Sequence, residues 1–559
     1  MGPSSNRPAF GRRAFLAGGA ATAAGLAAGS ASSVLGGGPA GAVTNGPGRN
    51  GIGTGKPRSG GQLVFGTDAE EQGFLPTSAR FDEVGVMYAR TVFDPLAIIT
   101  ANGGYAPYLA QSITPNSEYT SWTVTLRPNL RFHDGTPCDG AALLQNFKAH
   151  EASALLGPVI TPILENFTQT GPLSVQANFK SPWVAFGYYL AGGIGGQIAY
   201  PVAPAMLANP DGTNHPIGTG PFVFDTWVPN DHFTATRNHS YWRSGLPHLD
   251  SITYRPIPDA ESRSEALQSG SVDIIVNVTP QVTLQYRGNR QWSYTDDSGA
   301  LVGEPDVNCL LVNTAAGPLA NQKLRLACAK ALDRTAYAKI IDSGVEAPIN
   351  GPFVPGTPYF GATGYPTYDP GGAKRLVREV SQQTGKPVAF TIGYTSTPST
   401  LRALQYIQQR YQQAGMQVSL SPYQQNDLIN KALAGQYTAL VWRQFGAVEP
   451  DLNYLFWSTT TVAPVGGLAL NMTRNDNPSI QAALVAGREA ISTSERAQAY
   501  QQVAKLFAQD LPYLWQDRTV WMVAAQPKVQ NWNNPTTPSG QKAYGMITGS
   551  IWPTQIWLS

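Results

Sequence analysis

Charge is scarce in this chain, and cysteine and histidine are scarcer still. Of 559 residues only 13% are charged, against 42% hydrophobic, and there are three cysteines and six histidines. That balance excludes a disordered or fibrous chain. The formal net charge of +2 conceals an asymmetry. The first 59 residues carry Arg7, Arg12, Arg13, Arg49, Lys56 and Arg58 and no acid, so the remainder stands at −4. No basic field exists for nucleic acid. No Cys-x-x-Cys or Cys/His ladder occurs, and the histidines form no i,i+4 pair, so the chain asks for no metal and no cofactor. His133, beside Asp134, reads as a turn residue. A chelated nickel ligand stays open, because such a ligand brings its own donors. Cys138, Cys309 and Cys328 are an odd number; one disulfide with one thiol is open to them, and buried single thiols are the simpler reading. G-x-S-x-G and H-E-x-x-H are both missing, and no acids pair locally, which speaks against an enzyme.

What is present begins with Gly11-Arg12-Arg13-Ala14-Phe15-Leu16, followed by an Ala/Gly-rich stretch to about Leu26. A basic pair before a short, weakly apolar segment predicts a Tat-type export signal over 1–42, too short and Gly-rich to span a membrane. Ala40-Gly41-Ala42 and Ala28-Gly29-Ser30 are alternative cleavage sites. No cysteine precedes Cys138 to take a lipid, so the mature protein is expected in the periplasm or cell envelope, soluble or weakly tethered. Residues 43–60, rich in Gly, Asn and Pro, read as a flexible linker. Gly51-Ile52-Gly53-Thr54-Gly55-Lys56 has the look of a phosphate loop but neither its spacing nor its flanking strand.

At this length two or three domains are expected. Strands are predicted at Gln62–Thr67, Trp122–Leu126, Val307–Asn313, Val388–Tyr394, Gln417–Leu420 and Thr438–Val441. Helices are predicted from Asp82, over Cys138–Ala149, Gln322–Leu332 and Leu401–Gln413. The β-α-β alternation from about 306 to 520 describes an α/β domain with a parallel or mixed sheet.

Four motifs carry a resemblance. Pro107-x-Leu109-Ala110 precedes Trp122-x-Val124-x-Leu126-Arg127-Pro128-x-Leu130-x-Phe132-His133-Asp134-Gly135-Thr136-Pro137. Gly218-Thr219-Gly220-Pro221-Phe222 leads to Arg237-Asn238 and Tyr241-Trp242. Asn321-x-Lys323-Leu324-Arg325-x-Ala327 runs to Ala331-Leu332-Asp333-Arg334, and Tyr368-Asp369-Pro370 to Ala373-Lys374. In that order they resemble the family 5 extracellular solute-binding proteins, the peptide, dipeptide and nickel group that serves ABC importers. The resemblance implies a two-lobe periplasmic-binding-protein fold of type II, with mixed sheets, an extra inserted subdomain and a hinged cleft. The first lobe would comprise 61–100, 205–305 and 523–559, the insertion 101–204 and the second lobe 306–522. It further implies a monomer that captures a peptide or other small organic solute and meets ABC permease subunits. A peptide chaperone or ligand sensor on the same fold is the alternative.

In peptide-binding relatives an Asp after a Trp-rich strand pairs with the ligand's amino terminus. Aligned on Trp442, that position falls on Ala447 or Val448, neither of which binds an ammonium. The ligand is therefore expected to be a peptide held otherwise, or a sugar-like or modified compound. Arg443 is read either as a carboxylate anchor or as an inter-lobe ion pair. Trp442, Gln444 and Phe445 flank it as site candidates. Glu70, Glu71, Gln72 and Phe74 are the first lobe's candidates, and Tyr394 ends a second-lobe strand that faces the cleft. Glu449 and Asp451, around Pro450, suggest a turn.

Overall fold

The computed structural model describes residues 50–79, 81–209, 214–299 and 304–559. The export signal expected over 1–42 and the first part of the linker lie outside the described residues. Gly51 to Thr54, read as flexible, are instead tied to the C-terminal segment. Gly51 N–H donates to Ser293 Oγ (3.1 Å) and Thr54 N–H to Gln530 Oε1 (3.2 Å), while Asn533 N–H donates to the Gly51 carbonyl (3.1 Å). Weak apolar content did not reveal this, because the ties are backbone hydrogen bonds.

Two mixed sheets form the lobes. In the first, seven strands lie in the order Ser293–Asp296, Met522–Ala525, Ile274–Asn277, Gln62–Thr67, Ser251–Pro256, His232–Arg237 and Phe222–Val228. Gln62–Thr67 is parallel to both its neighbours. The second holds Gln417–Tyr423, Ala389–Thr395, Ala439–Gln444, Val307–Val312 and Tyr513–Arg518. An antiparallel four-stranded sheet, with Ser121–Leu126 alternating half-buried and buried, forms the inserted segment. The expected strands and helices are found, with ends shifted by a few residues, as fraying ends allow. All three cysteines are buried free thiols. No helix among the described residues is long and apolar enough to cross a membrane.

The chain passes twice between the lobe sheets, after Ser293–Asp296 and after Tyr513–Arg518, and the passages are laced together. Thr519 N–H donates to the Asp306 carbonyl (3.0 Å), Trp521 N–H to Asp297 Oδ1 (2.9 Å) and Trp521 Nε1–H to Asp306 Oδ2 (2.8 Å).

The Gly218–Phe222 turn owes its glycines to contact, not to unusual dihedrals. A Cβ at Gly218 would lie 2.1 Å from the Val92 carbonyl oxygen, and one at Gly220 2.5 Å from the Val92 carbonyl carbon. His133 N–H donates to the Gly218 carbonyl (2.8 Å) and its Nε2 bonds that of Gly220 (3.0 Å), so two of the sequence motifs dock on each other. The rest of the second motif converges on Asp94. Its carboxylate accepts from Trp242 Nε1 (2.6 Å), Tyr241 Oη (2.9 Å) and Thr219 Oγ1 (3.5 Å). Burial nevertheless raises the Asp94 pKa to about 7. Between the unfolded value of about 3.9 and that point, the folded chain keeps a proton that the unfolded chain releases. Raising the pH across this window therefore works against folding. Urea unfolding is expected to show wild type losing up to about 4 kcal/mol relative to Asp94→Asn from pH 4 to pH 7.5. Parallel pH profiles for the two proteins would contradict the assignment.

Candidate functional site

The site is built around the helix Glu83–Val92 of the first lobe. Asp82 caps it, accepting from Gly85 N–H at 2.9 Å. All ten helix residues are buried, including the charged Glu83 and Arg90, which lie two turns apart and so share a face. Across from it the second lobe presents the end of Ala439–Gln444 and its exit through Val448. Between them a cavity of about 30 Å³ is lined by Val86 and Arg90, by Gly192 to Ile194 of the inserted segment, and by Gly446 to Val448. Ala447 and Leu452 pack into the hydrophobic cluster of the inserted segment. A separate groove of about 380 Å³ near Lys374 and Gly415 lies between two helices of the second lobe, away from these elements.

The two ends of this face differ electrostatically. At its acidic end, Arg443 stands over the Trp521 indole at 4.5 Å. Burial alone would lower the Arg443 pKa, but Glu83, Asp306, Asp68 and Asp82 hold it raised. The acids respond in kind: burial raises Asp82 to about 6 and Glu83 well above its usual range, with Arg443 opposing both shifts. Asp68 Oδ1, Glu71 Oε2 and Glu83 Oε1 are buried without hydrogen-bond partners. At the other end, among the described residues no carboxylate pairs with Arg90. Burial lowers its pKa, its Nε has no partner, and its guanidinium lies 4.3 Å from the Trp552 ring centroid.

Of the residues singled out in the sequence, Ala447 lines the cavity and Arg443 faces the first lobe's acids. Gln72 reaches across to the second lobe, donating from Nε2 to Asn426 Oδ1 (2.5 Å). Glu71 is buried behind it, against Gly85, where a Cβ would lie 1.9 Å from Glu71 Oε2. Glu70 is occupied within its own lobe, accepting from Trp227 Nε1 (2.9 Å) and Asn230 N–H (2.8 Å). Phe74 is core: it is fully buried among Tyr88, Phe224, Trp227 and Phe233, because a ring in that loop fills the space above the first sheet. Tyr394 likewise joins the second lobe's core. Gln444 is buried, donating to Asn453 Oδ1 (3.1 Å), and Phe445 packs on Phe456 at 4.9 Å. Trp442 is half-buried with its ring 6.2 Å from that of Phe445, and its Nε1 has no partner.

Sequence reasoning missed Arg90 and the glycines at 192 and 193 that line the cavity. The available signal was a pair of opposite charges seven residues apart in an otherwise apolar helix. It also gave Glu449 and Asp451 too little weight. They do belong to a turn, Glu449 capping Pro450–Asn453 and Asp451 lying within it, but their carboxylates form buried ion pairs, Asp451 with Arg488 (2.9 Å) and Glu449 with Arg496. Asp451 also ties the inserted segment to the second lobe. Its Oδ2 accepts from Trp183 Nε1 (2.6 Å) and its carbonyl from Tyr189 Oη (2.6 Å). Three further buried acids, Asp342, Glu346 and Asp517, bring carboxylate oxygens within 4.8 Å of one another. Burial raises the pKa of each, and the Asn308 amide donates to Glu346 Oε2 (3.1 Å) and Asp517 Oδ1 (2.7 Å).

Residues 104–464, more than half the chain, match the model of the bacterial extracellular solute-binding proteins, family 5. The glutathione-binding protein GsiB of Pectobacterium atrosepticum is 28% identical over 431 residues, covering 73% of this chain and 79% of its own. Among solved structures, DppA of Helicobacter pylori in complex with the peptide STSA superposes with a TM-score of 0.77 at 19% identity, covering 90% of this chain and 98% of that one. AgaA of A. tumefaciens R10 in complex with agropinic acid gives 0.76 at 22% identity, covering 89% and 99%.

Proposed function

The chain belongs to the family 5 bacterial extracellular solute-binding proteins, and on that footing we propose that it captures a small organic solute between its lobes and delivers it to the permease subunits of an ABC importer. The observation that carries this reading is the cavity at Ala447, to which both lobes and the inserted segment contribute. At about 30 Å³ it has roughly the share of one water molecule in the liquid. A larger ligand therefore requires the lobes to part and close again, and the laced double passage at Asp297, Asp306 and Trp521 is the natural hinge. Contacts made only in the closed form supply the differential free energy for closure.

Relatives and neighbours bind glutathione, peptides, agropinic acid and chelated nickel or iron, and within that range we read the ligand as a peptide or a modified, sugar-like compound, a metal chelate being the alternative. The modified, sugar-like reading is favoured by Ala447: among the described residues no acid lines the cavity to hold an amino terminus. The first lobe's Asp68, Asp82 and Glu83 act on Arg443 through the electrostatic field they share with it. Export along the twin-arginine route, work as a monomer and the absence of any catalytic step complete the proposal.

Native mass spectrometry of the purified protein, followed by thermal unfolding with glutathione, dipeptides and sugar–amino acid conjugates, tests it. A true ligand at 100 times its dissociation constant is expected to stabilise the fold by about 2.7 kcal/mol and to be recovered unchanged. Turnover of the ligand, or failure of all three classes together with no co-purified solute, would count against the proposal. Tight binding of free peptides that is lost on blocking their amino group would overturn the ligand class.

A further inference from the structure

We infer that the inner end of the inter-lobe cavity is an anion-binding subsite, formed by the Arg90 guanidinium and the Tyr200 hydroxyl beneath Gly192, and that the ligand carries a carboxylate there. The inference rests on the reading of this cavity as the ligand site and adds the charge of what enters it.

Three observations converge. Arg90 lines the cavity while only 2% exposed, and its Nε has no partner. Its one backbone hydrogen bond, from Nη1 to the Ser550 carbonyl, is long at 3.4 Å. A buried guanidinium without a carboxylate is costly, and an incoming anion removes that cost. Tyr200, fully buried, places its hydroxyl beside the Arg90 guanidinium, which can donate to its oxygen, and the hydroxyl proton has no acceptor of its own. That hydroxyl sits against Gly192, which lines the cavity: a Cβ there would lie 2.4 Å from Tyr200 Oη, and its φ of +72° also favours glycine. Arg90 and Tyr200 thus form a coupled pair whose spare donors, the Arg90 Nε–H and the Tyr200 O–H, meet at a wall stripped of side chains, whereas Ala447 and Val448 opposite contribute none. The cavity's volume suits a carboxylate-sized group, and the rest of the ligand is accommodated only when the lobes part.

Titration calorimetry with N-acetylated dipeptide acids and the matching C-terminal amides tests the subsite, since these probes differ only at the group in question. The acids are expected to bind at least tenfold more tightly than the amides. Tyr200→Phe, which keeps the ring and removes one oxygen, is expected to weaken the acids severalfold and leave the amides unchanged. Arg90→Lys should narrow the acid-to-amide ratio further. Equal binding of acids and amides, binding of neither, or an unchanged ratio in Tyr200→Phe overturns the inference. A solute found bound to the purified protein by native mass spectrometry would in that event keep the receptor reading intact, so the two failures are separable.

Discussion

Replacing Asp451 with alanine is expected to lower the unfolding free energy by about 3–5 kcal/mol. Its side chain is fully buried, and the partner guanidinium of Arg488 is only 2% exposed. Truncation leaves that cation in the interior and strips the Trp183 indole of its acceptor. The Arg488 guanidinium also lies 3.4 Å from the Tyr454 ring centroid, so it has no freedom to swing to solvent. Asp451→Asn retains an acceptor for Trp183 and should lose less, about 1.5–3 kcal/mol. Urea denaturation of both variants decides the matter. A loss below 1 kcal/mol for the alanine variant would mean that Arg488 is compensated elsewhere. Because Trp183 belongs to the inserted segment, the variant should also bind ligand more weakly than its stability loss alone predicts.

Gly446→Ala is the second large effect, with about 3 kcal/mol lost and ligand affinity reduced at least tenfold. Its added methyl would lie 2.4 Å from the Glu304 carbonyl oxygen, 2.5 Å from the Pro305 carbonyl carbon and 2.7 Å from the Asp306 nitrogen. All three are backbone atoms of the first passage between lobes, so no rotamer change relieves the clash. The same residue donates its N–H to Asp306 and lines the cavity. Chemical denaturation and calorimetry on one preparation measure both quantities. Unchanged affinity with lowered stability would separate the passage from the ligand site.

The fold was largely legible because its signals are local. Alternation in Ser121–Leu126, the Asp82 cap and the helical faces of Gln322–Ala331 and Pro398–Gln413 depend on residues within a few positions. The site was legible only in part. Ala447 and Arg443 stood out because the motif around Trp442 is contiguous. Phe74 and Tyr394 were misplaced because burial of an aromatic ring is settled by distant strands; Trp227 and Phe233, which enclose Phe74, lie far along the chain. Arg90 escaped because what marks it is the carboxylate that does not reach it among the described residues, and an absent partner leaves no pattern in sequence. Asp451 was legible as a turn and illegible as an ion pair for the same reason: Arg488 and Trp183 come from opposite directions along the chain.

The hydrogen bond from Thr519 to the Asp306 carbonyl bears on the cost of closing the chain. It closes the second lobe at its root, so everything from Val307 to Arg518 is, topologically, one excursion that begins and ends at adjacent residues. Loop-closure entropy grows only slowly with the length of such an excursion. The length of the second lobe is therefore a minor term in the cost of bringing Asp306 and Thr519 together, and the hydrogen bond at that root holds the ends of the lobe in place whatever the lobe does beyond it.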